Sequence, residues 1–310
     1  MDRINKTTLE LLREISDLKN GAPEHAAYNI RQDSGCAGRR STKNISIESK
    51  TDKPGIDIRV RPGTKGESVY IPACITRSGV DDLVYNDFFI GEGADVTVVA
   101  GCGVHTDGGE ESQHNGIHRF FLEKGARVLY LEKHIGEGDG AGGRIINPET
   151  EVHLGEGSYL EMDTTQIRGV DSTVRKTSGE VGPGAKLVVR EKIMTHGEQY
   201  AETNFDVELS GEDSAADVIS RSVARGRSKQ QFDLKLTGSS RCAGHSACDA
   251  IIMDEGTVSA TPTLTAAHVD AALIHEAAIG KIAGEQLTKL MTLGLTAEEA
   301  EAKIIEGFLK

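Results

Sequence analysis

A turn-plus-strand unit recurs through the middle of the chain at nearly constant spacing. The copies read GEGADVTVVAG from Gly91, EKGARVLYLEKHIGEG from Glu123, LGEGSYLEMDTTQIRG from Leu154, GPGAKLVVREKIMTHGEQ from Gly182 and SGEDSAADVISRSVARG from Ser210. A weaker copy, KGESVYIPA, starts at Lys65. In each full copy a Gly/Glu/Asp turn leads into one small residue: Ala94, Ala126, Ser158, Ala185 and Ser214, spaced by 32, 32, 27 and 29 residues. The strand that follows alternates, so Val96, Val98 and Ala100 share one face, as do Val128, Tyr130 and Glu132. A unit this short buries its apolar face only against its neighbours, and the pattern predicts a stacked β-solenoid. An antiparallel sandwich with hairpins of similar length is the alternative.

Composition agrees with many tight turns and little aromatic core: 36 glycines, no tryptophan and 4% aromatic residues. The ends differ from the middle. TTLELLREISDLKNG places Leu11, Leu12, Ile15 and Leu18 at helical spacing, with Gly21 as the expected stop. The polar stretch that follows reads as a lightly packed approach. GEQLTKLMTLGL and TAEEAEAKIIEGFLK read as two short helices, the second opened by a Thr296/Glu299 capping box. The expected division is 1–50 for the N-terminal helix and approach, 51–283 for the solenoid, and 284–310 for a C-terminal helical segment.

Charge and cysteine usage narrow the function classes. A formal net charge of -13 argues against nucleic acid and against an anionic membrane surface. No apolar run of membrane-spanning length and no signal-peptide core occur, so the expected location is cytoplasmic. Five irregularly spaced cysteines do not form a disulfide framework. No GxxxxGK[ST] loop or GxSxG elbow occurs, and no GxGxxG sits between a strand and a helix.

Two groups of side chains carry chemistry. In SSRCAGHSACDAIIMDEG, Cys242 and Cys248 share a face of an extended strand but lie about 20 Å apart, too far for one zinc ion. Cys248 opens CDAIIMD, and His275 and Glu276 of IHEAAIG follow it by 27 and 28 residues, close to one repeat. Stacked one coil apart, a thiolate, an imidazole and a carboxylate suit iron or a labile iron–sulfur species. A small core cysteine is the plainer reading. The second group, GCGVHTDGGEESQHNGIH, offers Cys102, His105, His114 and His118 for a metal or sulfur role, against a solvated loop whose histidines cap turns.

These stretches resemble the SufB/SufD family, scaffold subunits of the SUF iron–sulfur assembly system. The likeness runs from LVYNDFFIGEGADVTVVAGCGVHTDGGEESQHNGIHRFFLEKGARVLYLEKHIGEG to CDAIIMDEG, HEAAIGKIAGEQL and GLTAEEAEAKIIEGF, over roughly 55–310. The resemblance implies a right-handed parallel β-helix, helical segments at its termini, and a C-terminal segment that docks a SufC-like ABC-type ATPase. It implies that Cys248 and Glu276 match the cysteine and carboxylate of SufB-like members, and His275 the histidine of SufD-like ones. A chain carrying all three points to a homodimeric minimal scaffold. The resemblance also assigns the HEA stretch to the solenoid, although HVDAALIHEAAIGKIAGEQLTKLM would pass as one helix on propensity. Three departures stand out: a short N-terminal part, no cysteine between Cys102 and Cys242 (HLGEG lies near where a sulfur-relay cysteine is expected), and Thr288 and Lys289 in place of an aromatic pair.

The expected function is therefore a scaffold for iron–sulfur cluster assembly, without catalysis of its own. It would hold a transient cluster at Cys248, Glu276 and His275, while Cys242 and His245 are incidental. Its partners would be the ATPase, a sulfur donor and apo acceptor proteins, with no nucleic acid and no membrane. Leu287, Leu290, Leu295, Ile304, Ile305 and Phe308 would form the ATPase-docking surface. The rivals are a non-catalytic solenoid that only presents a surface, and a carbohydrate-active β-helix, which the lack of tryptophan disfavours.

Overall fold

The computed structural model describes residues 4–19 and 21–310. In chain order its elements are α1 (Lys6–Ser16), β1 (Ala27–Gln32), β2 (Gly35–Arg40), β3 (Ile45–Ser49), β4 (Gly55–Val60), β5 (Lys65–Ile75), β6 (Asp81–Ile90), β7 (Asp95–His105), β8 (Ser112–Leu122) and β9 (Arg127–Glu137). There follow β10 (Arg144–Ile146), β11 (Glu149–Leu154), β12 (Tyr159–Arg168), β13 (Ser172–Val181), β14 (Lys186–Thr195), β15 (Tyr200–Leu209), β16 (Ser214–Ala224), β17 (Lys229–Gly238), β18 (Cys242–Ile252), β19 (Thr257–Ala266), β20 (Ala271–Gly280), α2 (Gly284–Thr292) and α3 (Ala297–Phe308).

Successive strands alternate between two facing sheets, ordered β2-β1-β5-β7-β9-β12-β14-β16-β18-β20 and β19-β17-β15-β13-β10-β8-β6-β4-β3, with β11 lying beyond β10 between β13 and β8. The pairs are parallel except the hairpins β1–β2 and β3–β4. This is the solenoid the repeats predict, in about eight turns. The segment read as a polar approach holds β1, β2 and β3, so both sheets begin well before residue 51. Those strands carry no repeat because they pair in short antiparallel hairpins.

The corner that leads from the second sheet back to the first explains the repeated small residue. In the Gly91–Ala94 turn the Ala94 N–H donates to the Gly91 carbonyl at 3.0 Å, and Gly93 sits at φ +62°, a conformation costly for a side chain. Ala126, Ser158, Ala185 and Ser214 close the same turn, and all five are buried. The corners also stack: the N–H of Gly93 donates to the Lys124 carbonyl, Gly125 to Glu156, Gly157 to Pro183 and Gly184 to Glu212, at 2.8–2.9 Å. Inside, register aligns side chains into columns, among them Val98, Tyr130, Met162, Val189 and Val218. The facing sheet supplies Phe88 and Phe120, stacked with centroids 4.4 Å apart. Each such buried ring contributes roughly 2–3 kcal/mol.

Helix α1 is capped by Asn5, whose side chain accepts from the Thr8 N–H at 2.7 Å. It ends at Asp17, in the left-handed region at φ +56°, four residues before the expected stop at Gly21. Leu11, Leu12 and Ile15 pack on the outer face of the first sheet with Cys74 and Ile135. Gly101 and Gly103 of β7 allow that approach: a β carbon on Gly103 would lie 2.8 Å from Leu11, and one on Gly101 3.0 Å from Ile15. At the other end HEA lies in β20, and helix starts at Gly284 with the Thr296/Glu299 capping box formed. No helix among the described residues is long and apolar enough to cross a membrane.

Candidate functional site

Cys248 lies on β18 with its side chain turned into the solenoid, where Ser220 of β16 is its register neighbour. Ser220 donates to Glu191 Oε1 at 2.8 Å, and Thr203 donates to the same carboxylate at 3.1–3.2 Å. Glu191, Thr203, Ser220, Gln230 and Cys248 line one small polar chamber. Burial pushes the Cys248 thiol up to about 12, and the Glu191 and Asp249 charges act in the same direction. At neutral pH it is a thiol.

His275, on β20, faces the same interior. It pairs in register with Ser246, two residues before Cys248, and its Nδ1 lies 3.3 Å from the Ser246 hydroxyl. Its Nε2 is buried and has no hydrogen-bond partner among the described residues. Burial, helped by His245, holds the ring below the ordinary histidine range, so this lone pair is available at neutral pH.

Glu276 does not join them. It pairs with Ala247, whose side chain faces outward, while Cys248 pairs with Ala277. The coil from β18 to β20 is thus 29 residues, and the 28-residue interval to Glu276 puts it on the opposite face. The Glu276 side chain is 71% exposed and lies 3.9 Å from His245 Nε2. His245, read as incidental, is held by Asp217 at 2.8 Å, and Asp217 in turn by Arg190 at 2.7 Å. Cys248 and Glu276 cannot share one site within this chain. Cys242 faces inward among apolar residues.

Of the second group, three members converge. Cys102, His114 and His118 line an interior chamber with Glu132, His134 and Asn86. His105 stays apart at the end of β7, 2.9 Å from exposed Asp107. Sequence reasoning placed Glu132 on the face of Tyr130 but missed its partners. Tyr130 donates to Glu132 Oε1 at 2.6 Å, and Arg175 of β13 donates to Glu132 Oε2 at 2.9 Å, to Glu191 Oε2 at 3.2 Å and to His134 Nδ1 at 3.0 Å. Arg175 therefore lies between the Cys102 and Cys248 chambers and bridges them. Burial alone would raise the Glu132 carboxyl, but His134 and Arg175 outweigh it and hold it well below the usual carboxylate range. His134 is itself lowered, chiefly by burial, so Arg175 supplies the formal charge. His118 is brought down to about 4, again chiefly by burial. Among the described residues no three His, Cys, Asp or Glu side chains form a ready-made metal cage.

Helix α3 lies over the outer face of the first sheet, tied by Arg225 to Glu301 at 3.1 Å. Of the six residues expected to form a docking surface, Ile305 is buried beneath α3, and Leu287, Leu290, Leu295, Ile304 and Phe308 are half-buried. Met291 and Leu293, at 46% and 76% exposure, are the more accessible apolar groups.

Comparison with known proteins gives one family. A family model described as the SUF system FeS cluster assembly, SufBD core domain matches residues 85–308. An iron-sulfur cluster assembly SufBD family protein of Archaeoglobus fulgidus is 28% identical over 261 residues, covering 84% of this chain and 69% of that protein. One from Methanothermobacter thermautotrophicus is 27% identical, covering 84% of this chain and 64% of that protein. One from Methanocaldococcus jannaschii is 25% identical, covering 86% and 85%.

Proposed function

Because the chain belongs to the SufBD family of iron–sulfur cluster assembly proteins, we propose that it is a scaffold on which a nascent cluster is held and then passed on. The observation that carries this reading is the open end of the solenoid. There a neutral thiol, Cys248, and an unpartnered buried imidazole nitrogen, His275 Nε2, face the same interior within one strand spacing of each other's strand. Thiolate and imidazole are donors for iron, and the cluster is the protein's cargo. Ligation by Cys248 requires that the incoming iron displace its proton.

The remaining parts of the proposal concern its surface and partners. Among the described residues no strand lies beyond the edges of β19 and β20, and such edges are blunted by pairing. A second copy of the chain is the proposed occupant, in an isologous dimer that brings two Cys248/His275 pairs together. Glu276, on the outer rim of β20, is a donor only to a ligand shared across that interface. A SufC-like ABC-type ATPase docks on α2 and α3 around Met291, Leu293 and Leu295, and supplies the ATP hydrolysis. A sulfur donor and apo acceptor proteins complete the set, in the cytoplasm.

Anaerobic reconstitution with iron and sulfide tests the reading. The protein should develop a sulfide-to-iron absorption band that Cys248→Ser reduces by at least tenfold, while Cys242→Ser leaves it near the wild-type level. A Cys248→Ser variant with full cluster content would refute the assignment.

A further inference from the structure

The Cys102 chamber, on the far side of Arg175, plays no part in cluster binding as proposed above. One wall is β8, where His114, Gly116 and His118 face inward in succession. The tautomer of each ring follows from its neighbours. His114 Nδ1 lies 3.0 Å from Asp82 Oδ2, and that carboxylate is held ionised by Arg31 at 2.6 Å. A carboxylate only accepts, so Nδ1 carries the proton and His114 Nε2 is a bare lone pair. His118 Nδ1 lies 2.8 Å from the Tyr130 hydroxyl, whose single proton goes to Glu132 at 2.6 Å. The hydroxyl must therefore accept from His118 Nδ1–H, and His118 Nε2 is bare as well.

Both bare nitrogens look onto the space above Gly116. A β carbon built there would lie 3.1 Å from His114 Nε2 and 3.4 Å from His118 Nε2. Neither nitrogen has a hydrogen-bond partner among the described residues. A third acceptor shares the chamber: Asn86 Oδ1, in register beside His118, is buried and unpartnered. The donors left in the chamber are the weak thiol of Cys102 and the amide N–H groups of Asn86. The free space, about 10 Å³, has room for about one water-sized occupant and not for an organic molecule.

We propose that His114 Nε2 and His118 Nε2 bind a divalent first-row transition cation over Gly116, with Asn86 Oδ1 as a further donor. Imidazole suits iron, nickel, copper and zinc. A metal-binding histidine commonly gives its other N–H to a carboxylate or to a group held by one, and Asp82 and the Tyr130–Glu132 pair fill that role here. With two imidazoles and an amide oxygen it is an exchangeable site and not a structural cage.

Metal-free protein dialysed against Co²⁺ provides the test, read by metal content and by visible d–d absorption. The expected result is one equivalent per chain, with affinity lowered at least tenfold by Gly116→Ala, whose methyl fills the metal position, and by His118→Gln. Cys248→Ser should bind as wild type, which separates this site from the cluster site. Folded wild-type protein that retains neither Co²⁺ nor Zn²⁺ would mean that a water occupies the chamber and would overturn the proposal. So would a folded Gly116→Ala variant that binds as tightly as wild type. Should Gly116→Ala fail to fold, His118→Gln decides: an unchanged equivalent of metal rejects the site.

Discussion

The two ends of the solenoid are built on opposite plans. At the N-terminal end each sheet turns back on itself in a hairpin, β1 with β2 and β3 with β4, and Ile45 and Ile47 of β3 close the core. At the C-terminal end β19 and β20 continue the parallel stack and then stop, with Ile274 and Ile279 at 57% and 39% exposure. The same stacking rule runs through both. A parallel stack does not terminate by itself, so an end is either folded over or left for something else to cover. The candidate ligands Cys248 and His275 sit at the uncovered end.

The contrast breaks first on packing. Ile45→Ala at the closed end should cost about 2–5 kcal/mol in urea unfolding, whereas Ile279→Ala at the open end should cost under about 0.5 kcal/mol, since its site is already half in solvent. Equal losses would mean that the C-terminal end is packed in solution as tightly as the other.

Acid should act on the early coils before the late ones. His118 and His134 have folded pKa values below their unfolded ones, so they bind protons more readily when unfolded. Stability of the metal-free protein should therefore fall as pH drops from the unfolded histidine range, near 6.5, toward 4. The loss from His118 alone is on the order of a few kcal/mol. Asp82 and Glu132, both depressed against the opposing effect of burial, add a second loss as pH falls below the unfolded carboxylate range, near 4. Hydrogen exchange at pH 7 and 4.5 should show β6–β9 opening more than β16–β18. Uniform protection at both values would contradict the placement of these groups.

The smallest effect on stability is the most telling for assembly. Measured at a dilution where the chain is monomeric, Ile279→Lys should leave the unfolding free energy within about 0.5 kcal/mol of wild type, yet at higher concentration it should abolish self-association in sedimentation. A variant that sediments like wild type would separate the open end from any dimer.

Much of this fold was legible because the corner turn repeats its own spelling, and Ala94, Ala126, Ser158, Ala185 and Ser214 mark it without help from tertiary contacts. The faces of Val96–Ala100 and Val128–Glu132 followed from parity alone. The face of Glu276 did not, because it depends on whether one coil is 28 or 29 residues long, and repeat spacing varies by more than that. Arg175 escaped for another reason. Its partners Glu132 and Glu191 lie on the facing sheet, and no sequence interval encodes the register between two sheets. The strands before residue 51 lacked the repeat, and the alternation of Ile45 and Ile47 was too short to stand out.

The corner bonds have a consequence for how such a chain changes over time. They join main-chain groups, Gly93 to Lys124, Gly125 to Glu156 and onward, and so they are indifferent to which coil stacks on which. A rod held that way can lengthen or shorten by whole coils, like a spiral binding that accepts another page. Side chains that join coils work against that freedom, and Arg175 is a deeply buried case. By spanning from Glu132 to Glu191 it ties particular coils to one another, and a duplication falling between them would leave a buried charge without its mate.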